Sequence, residues 1–145
     1  VAGSKRANIM NANGNWHLFE RHGRAKHTGT NLGAQTRLVR DNETRVKALF
    51  RSFSEQWKNR CRDHNIHTAA SVCEHGKHRS VAVQCLMASI LRDLGAVVVT
   101  EHLSKPNWSR KGCGVVDCEQ CDVRKNLQQR QELTRTALPW LRDLL

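Results

Sequence analysis

The chain has no tyrosine, and among its 145 residues there are only three phenylalanines and four tryptophans. That scarcity argues against the aromatic sheet on which the common RNA-recognition domains stack bases. No long apolar segment and no signal-peptide pattern occurs, so the sequence shows neither a membrane span nor a secretory leader. The phosphate cradle Gly-x-x-x-x-Gly-Lys-Ser/Thr is missing, and so are internal repeats and low-complexity tracts. Acidic residues are scarce beside basic ones, 13 against 24, leaving a formal charge of +11. Such a balance predisposes a protein to polyanions, either nucleic acid or phosphorylated ligands. The length suits one domain with its own core and is short for two.

Six cysteines are present, three of them crowded between Cys113 and Cys121. With no leader in view, that uneven spacing points to a reduced, intracellular protein (cytoplasm or nucleus) with a metal site rather than to a disulfide framework. The chain begins at Val1, so it is expected to be part of a longer protein whose targeting signals lie elsewhere.

Taken in order, Lys5 to Asn11 reads as a first strand. Positions 11–41 read as a long, basic, structureless loop, either a surface excursion or a lid, pinned by Trp16, Leu18 and Phe19. Asp41-Asn42 is placed to cap a helix running to about His64, with Val46, Leu49, Phe50, Phe53 and Trp57 forming its apolar stripe and Cys61 close to it. His64 and His67 read as turn residues or as half of a metal site. Ile66 to Val72 reads as the central strand. Val81 to Leu94 reads as a helix apolar nearly all round, stopped by Gly95. Ala96 to Thr100 is a continuous apolar run with the pattern of a buried strand. Strand, loop, helix and strand would make a right-handed βαβ unit, whose ligands bind beyond the carboxyl ends of the strands. A last helix from about Val123 to Leu145 should break or kink near Leu138, before Pro139.

The ligand end of that βαβ unit is Cys73-Glu74-His75-Gly76-Lys77-His78-Arg79-Ser80. A loop feeding a helix offers free N–H groups and the positive end of the dipole to an anion. Arg79 adds a fork that fits two oxygens of the same anion. All eight residues are candidate anion-binding positions, and the thiol of Cys73 should ionise more readily among such donors.

Cys73-x-x-Gly76-x-x-Arg79-Ser80 resembles the signature of the tyrosine and dual-specificity phosphatases. That resemblance implies Cys73 as nucleophile, Arg79 as phosphate clamp, Ser80 as the hydroxyl that helps the thiolate leave, and Asp41 as general acid. The chain departs from it at Val72, where those enzymes usually have histidine, and Asp41 is equally placed as a helix cap. Gly76-Lys77-His78-Arg79-Ser80-Val81, with Cys73 in register, also resembles the loop of the C-terminal domain of the RNase adapter protein RapZ family. His102 falls where that family has a histidine after its next strand, and Asn13-Gly14-Asn15-Trp16 is faintly similar to its Asn-Pro-x-Trp turn. The similarity runs over roughly residues 13–103 and is specific in the loop. It implies a phosphate or phosphosugar ligand, RNA binding and homo-oligomers. Glu74 and His75 replace small residues of that loop, and the family's nucleotide-binding domain has no counterpart in this sequence.

Cys113-x4-Cys118-x2-Cys121 gives three thiolates in a short segment, and structural zinc takes four ligands. His102, at the exit of the preceding strand, is the expected fourth, unless it lines the anion pocket instead; Gly112 and Gly114 would ease the backbone around Cys113. Arg21, Arg24 and Lys26, with Lys105, Trp108, Arg110 and Lys111, are the candidate nucleic-acid contacts, pairing cations with an indole.

The sequence therefore predicts one α/β domain over residues 1–145: a small parallel or mixed sheet, helices on both faces, and a zinc-stapled loop at 102–122. The leading expectation is a phosphate- or phosphosugar-binding module, an adapter or regulator that contacts RNA. A cysteine-dependent phosphatase and a zinc-stabilised interaction domain are the alternatives.

Overall fold

A computed structural model of the chain describes residues 8–13, 16, 18, 27–60, 68–73, 78–108, 121 and 126–145. Outside these lie Lys5 to Ala7, the basic residues Arg21, Arg24 and Lys26, Phe19, Cys61, His64, Ile66 and His67. Glu74 to Lys77, Arg110, Lys111, Cys113 and Cys118 also lie outside them.

Chain order is strand β1 (Asn8–Asn11), helices α1 (Leu32–Asp41) and α2 (Glu43–Arg60), strand β2 (Ala69–Val72), helix α3 (Arg79–Asp93), a 3-10 turn at Lys105–Asn107, and helix α4 (Leu127–Arg142). β1 and β2 form a two-stranded parallel sheet, Asn8 opposite Ala69 and Asn11 opposite Val72. Ala12 N–H extends the pairing to the Val72 carbonyl at 2.7 Å. Parallel neighbours require a long crossover, and here α1 and α2 supply it. The fold is α/β, with four helices and a small parallel sheet among the described residues.

The sequence reading differs from this fold in three places. Residues 11–41 are not one loop, because 32–41 is helical. Asn31 caps α1, its side-chain oxygen accepting from Ala34 N–H at 3.1 Å. Leu32, Gln35, Leu38 and Val39 are its buried stripe. The polar Gln35 hides that periodicity, yet it is 1 % exposed and its amide donates to the Gly29 carbonyl at 3.0 Å.

Residues 96–100 do not form a strand. Val97 and Val99 are 98 % and 90 % exposed, and Arg92 Nη2 donates to the Val98 carbonyl at 3.0 Å. An apolar run alone does not name a partner strand, and the parallel pairing that exists joins β1 to β2 around α1 and α2. The expected pair of strands around α3 is absent among the described residues. The turn that releases this run from α3 does follow expectation: Gly95 at φ 96°, Gly95 N–H to the Arg92 carbonyl and Ala96 N–H to the Leu91 carbonyl make a Schellman end.

Third, α4 runs through Pro139 to Arg142 without ending at Leu138. Proline removes one intrahelical donor, to the Arg135 carbonyl, and the bond from Asp143 N–H to the Pro139 carbonyl at 3.1 Å is made all the same.

The apolar stripe of α2 reads through to the structure. Val46, Leu49, Phe50 and Phe53 are buried, and the Trp57 ring tilts against Phe53 with centroids 5.5 Å apart. Met10 of β1, Leu38 of α1, Leu86 and Ile90 of α3 and Leu141 of α4 are fully buried with them. Each such side chain contributes about 1.5–3 kcal/mol by leaving water. α3 is buried on several sides, at Val81, Ala82, Val83, Leu86, Met87, Ala88 and Ile90, because β2, α1 and α4 all pack on it. The outer edge of β1 is covered by Gln56 of α2. Its side-chain oxygen accepts from Ile9 N–H at 3.2 Å and its nitrogen donates to the Ile9 carbonyl at 3.3 Å, as a neighbouring strand would. No described helix is long and apolar enough to cross a membrane.

Candidate anion site at the start of α3

β2 ends at Val72 and α3 starts at Arg79, so Cys73 stands at the carboxyl end of a parallel strand beside the first turn of a 15-residue helix. Ser80 N–H donates to Cys73 Sγ at 3.4 Å, and the thiol donates to Ser80 Oγ at 3.1 Å. Ser80 is buried, while Cys73, His78 and Arg79 are half-buried. The thiol thus touches the two groups of one residue, the second of the helix. Helix N–H donors and the dipole favour an anion, whether a thiolate or an oxyanion, at this spot.

The wall of the site is the segment 28–31, which falls inside the loop expected over 11–41. Gly29 lies so close to α3 that a Cβ there would overlap Ala82 N and His78 O and stand 2.8 Å from Val81 C, all of them backbone. Only glycine allows this approach. Thr28 and Thr30 flank it with their hydroxyls in contact at 2.6 Å, and Gln35 holds the Gly29 carbonyl from the buried side. Thr28-Gly29-Thr30-Asn31 carried a usable signal, a turn cluster ending in an N-cap residue before a helical stripe.

The remaining expected residues divide as follows. Asp41 is the last residue of α1, exposed, its carboxylate held by both Nε and Nη2 of Arg40 at 2.8 and 3.0 Å. The cap between the helices is Asn42: its carbonyl accepts from Val46 N–H at 2.9 Å and its amide donates to the Arg37 carbonyl. His102 faces Trp108, ring centroids 5.4 Å apart, and Trp108 Nε1 donates to Ser104 Oγ at 3.2 Å, which leaves the indole half-buried. Partial burial, then the Lys105 charge, lowers the His102 pKa from its ordinary value. Lys105 is exposed.

Cys121 lies beside His27 and Asn31, Sγ to Nδ1 3.3 Å and Asn31 Nδ2 to Sγ 3.5 Å. Three candidate metal ligands do not come together among the described residues. Cys73, Cys85 and Cys121 are outside disulfides. Burial in α3 raises the Cys85 pKa against the opposing charges of Arg130 and Arg92, so Cys85 is a packing thiol. No family model, no curated protein and no solved structure matches this chain.

Proposed function

We propose that the first turn of α3 binds the phosphate group of a small ligand, and that the domain is a phosphate- or phosphosugar-binding module of the RapZ C-terminal type that also contacts RNA. The observation that carries this reading is the Ser80 N–H bond to Cys73 Sγ at 3.4 Å, at the N-terminus of a long helix. A backbone donor at a helix N-terminus favours a negative charge beside it, which supports this reading. Arg79, at the first helical position, supplies a cation, and Glu74 to Lys77 with His78 complete the loop in sequence. The net charge of +11 favours a polyanionic partner, with Lys105 and Trp108 as described candidates for its contacts. Titration calorimetry with inorganic phosphate and with sugar phosphates tests the first part. Saturable binding, weakened about tenfold or more in Arg79→Ala, is expected; no heat with any of them overturns it. RNA retention on filters should fall steeply with salt if phosphates are neutralised.

A second reading, a cysteine-dependent phosphatase, draws on the 3.1 Å contact of Cys73 Sγ with Ser80 Oγ. In that chemistry the Cys73 thiolate attacks phosphorus, an S–P bond forms as the ester P–O bond breaks, and the leaving oxygen takes a proton from a general acid; Asp41, the acid expected from the sequence, is engaged by Arg40 at the end of α1 instead. Water then cleaves the S–P bond, and Ser80 donates to the departing thiolate. Phosphate release from an aryl phosphate, lost in Cys73→Ser and kept in Cys61→Ser, is the decisive assay; no turnover by the wild type removes this reading. The three closely spaced cysteines, Cys113, Cys118 and Cys121, are proposed to hold a structural zinc with one histidine.

A further inference from the structure

We propose that Arg130 of α4 and Arg92 of α3 form a second anion-binding site, at the seam between these helices, that takes a phosphate-type oxyanion. It stands on other residues than the site at the start of α3 and does not depend on it.

The core-facing stripe of α4 begins with a charge. Leu133, Thr134, Ala137 and Leu141 are its buried members, and Arg130 precedes them at helical spacing on the same face. Arg130 is half-buried, and its Nε is buried with no hydrogen-bond partner. A cationic donor taken out of water and left without an acceptor costs folding free energy that an uncharged residue of similar volume does not. Arg130 is also the fourth residue of α4, close to the helix end whose dipole favours an anion over a cation. No carboxylate offsets it: among the described residues neither Arg130 nor Arg92 makes an ion pair, although Glu132 and Asp93 are near in sequence.

Arg92 supplies the second guanidinium. On α3, Cys85, Ala88 and Arg92 follow one another at spacings of three and four residues, so they share a face, and α3 packs against α4. Nη2 of Arg92 donates to the Val98 carbonyl at 3.0 Å, which anchors a long, exposed side chain. Cys85 lies within the field of both arginines: burial pushes its thiol up, and the Arg130 charge, then the Arg92 charge, oppose this. Two guanidiniums thus converge on one half-buried thiol. A tetrahedral oxyanion fits there, because its oxygens accept from Arg130 Nε and from the Arg92 N–H groups that Val98 does not use. Free phosphate and the backbone phosphates of RNA present the same oxygens.

The test is thermal unfolding of the whole chain in inorganic phosphate against chloride of equal ionic strength, in the Arg79→Ala background so that the site at the start of α3 is weakened. At ten times its Kd, phosphate should raise Tm by about 3–6 °C, and adding Arg130→Met or Arg92→Gln should remove most of that rise. In chloride, Arg130→Met should melt no lower than its parent, because it keeps an apolar stem and removes the unmet donor. Arg92→Gln, at an exposed position, covers the case in which Arg130→Met folds poorly. Retention of single-stranded RNA on filters identifies the source of the oxyanion. If it is a backbone phosphate, Arg130→Met lowers affinity and reduces the salt slope by about one; if it is free phosphate, RNA retention is unchanged and the Tm rise alone is lost. A phosphate rise no larger than that in chloride, or an undiminished rise in either substituted chain, overturns the site and leaves the reading of the α3 start to its own assay.

Discussion

Replacing Gly29 by alanine perturbs the contact between the 27–31 segment and α3 with a single methyl group. The new Cβ would overlap two backbone atoms, Ala82 N and His78 O, and lie 2.8 Å from a third, Val81 C. Even that third atom falls about 0.6 Å short of ordinary contact, which begins at 3.4 Å. No side chain can swing away to relieve the overlap, so the two segments must separate. Overpacking of this kind costs about 1–3 kcal/mol. Separation also stretches the buried bond from Gln35 to the Gly29 carbonyl, worth about 1 kcal/mol. A total of about 2–4 kcal/mol is expected. With a urea dependence of about 2 kcal/mol per molar, the unfolding midpoint should fall by about 1–2 M. The same displacement moves the first turn of α3, so phosphate affinity should drop together with stability. Gly95→Ala is the control. Its cost comes from the positive φ alone, about 1–2 kcal/mol, because nothing lies within 4 Å of the added Cβ, and phosphate affinity should be unchanged. A Gly29→Ala stability within about 0.5 kcal/mol of wild type, with unchanged phosphate affinity, would refute the close approach and the anion-site wall built on it.

Further outcomes are expected elsewhere. Gln56→Ala removes both side-chain bonds to Ile9 and should cost about 1 kcal/mol; Gln56→Glu should cost more, since a carboxylate then faces the Ile9 carbonyl. Equal stability of Gln56→Glu and wild type at pH 7 in urea unfolding would contradict the edge clamp. In alkylation near neutral pH followed by peptide mapping, Cys85 should react far more slowly than Cys73, because burial holds Cys85 as the thiol; faster labelling of Cys85 would count against this placement. His102 has its pKa lowered in the fold, so its contribution to stability is present above the unfolded value near 6.5 and is lost as pH falls through the folded value. An NMR titration should put its midpoint below 6.5, and His102→Gln should flatten the loss of stability on acidification; an unchanged slope would rule the effect out.

Several parts of this molecule are local enough to be read from residue order. The α2 stripe from Val46 to Phe53 and the all-round apolar α3 follow from helical periodicity. The Gly95 stop follows from the need for a positive φ. The position of Cys73 at a strand end before a helix follows from the alternation of apolar runs and polar turns. Pro139 does not break its helix, since losing one intrahelical bond is tolerated in a helix whose Leu133, Ala137 and Leu141 are buried. The run 96–100 defeats such reading, because apolar character records a tendency to leave water and does not name a partner strand.

The sequence by itself determined the helix that carries the site, the thiol and guanidinium at its start, and the excess of positive charge. Tertiary structure alone decided that β1 is the parallel neighbour of β2 and that Gly29 forms the wall against α3. It also decided that Cys121 meets His27 from 94 positions away. The physical reason is separation along the chain. Periodicity and capping are set by neighbours within a few residues, whereas the choice of strand partner and of the residue facing a thiol depends on how every packed element shares one core.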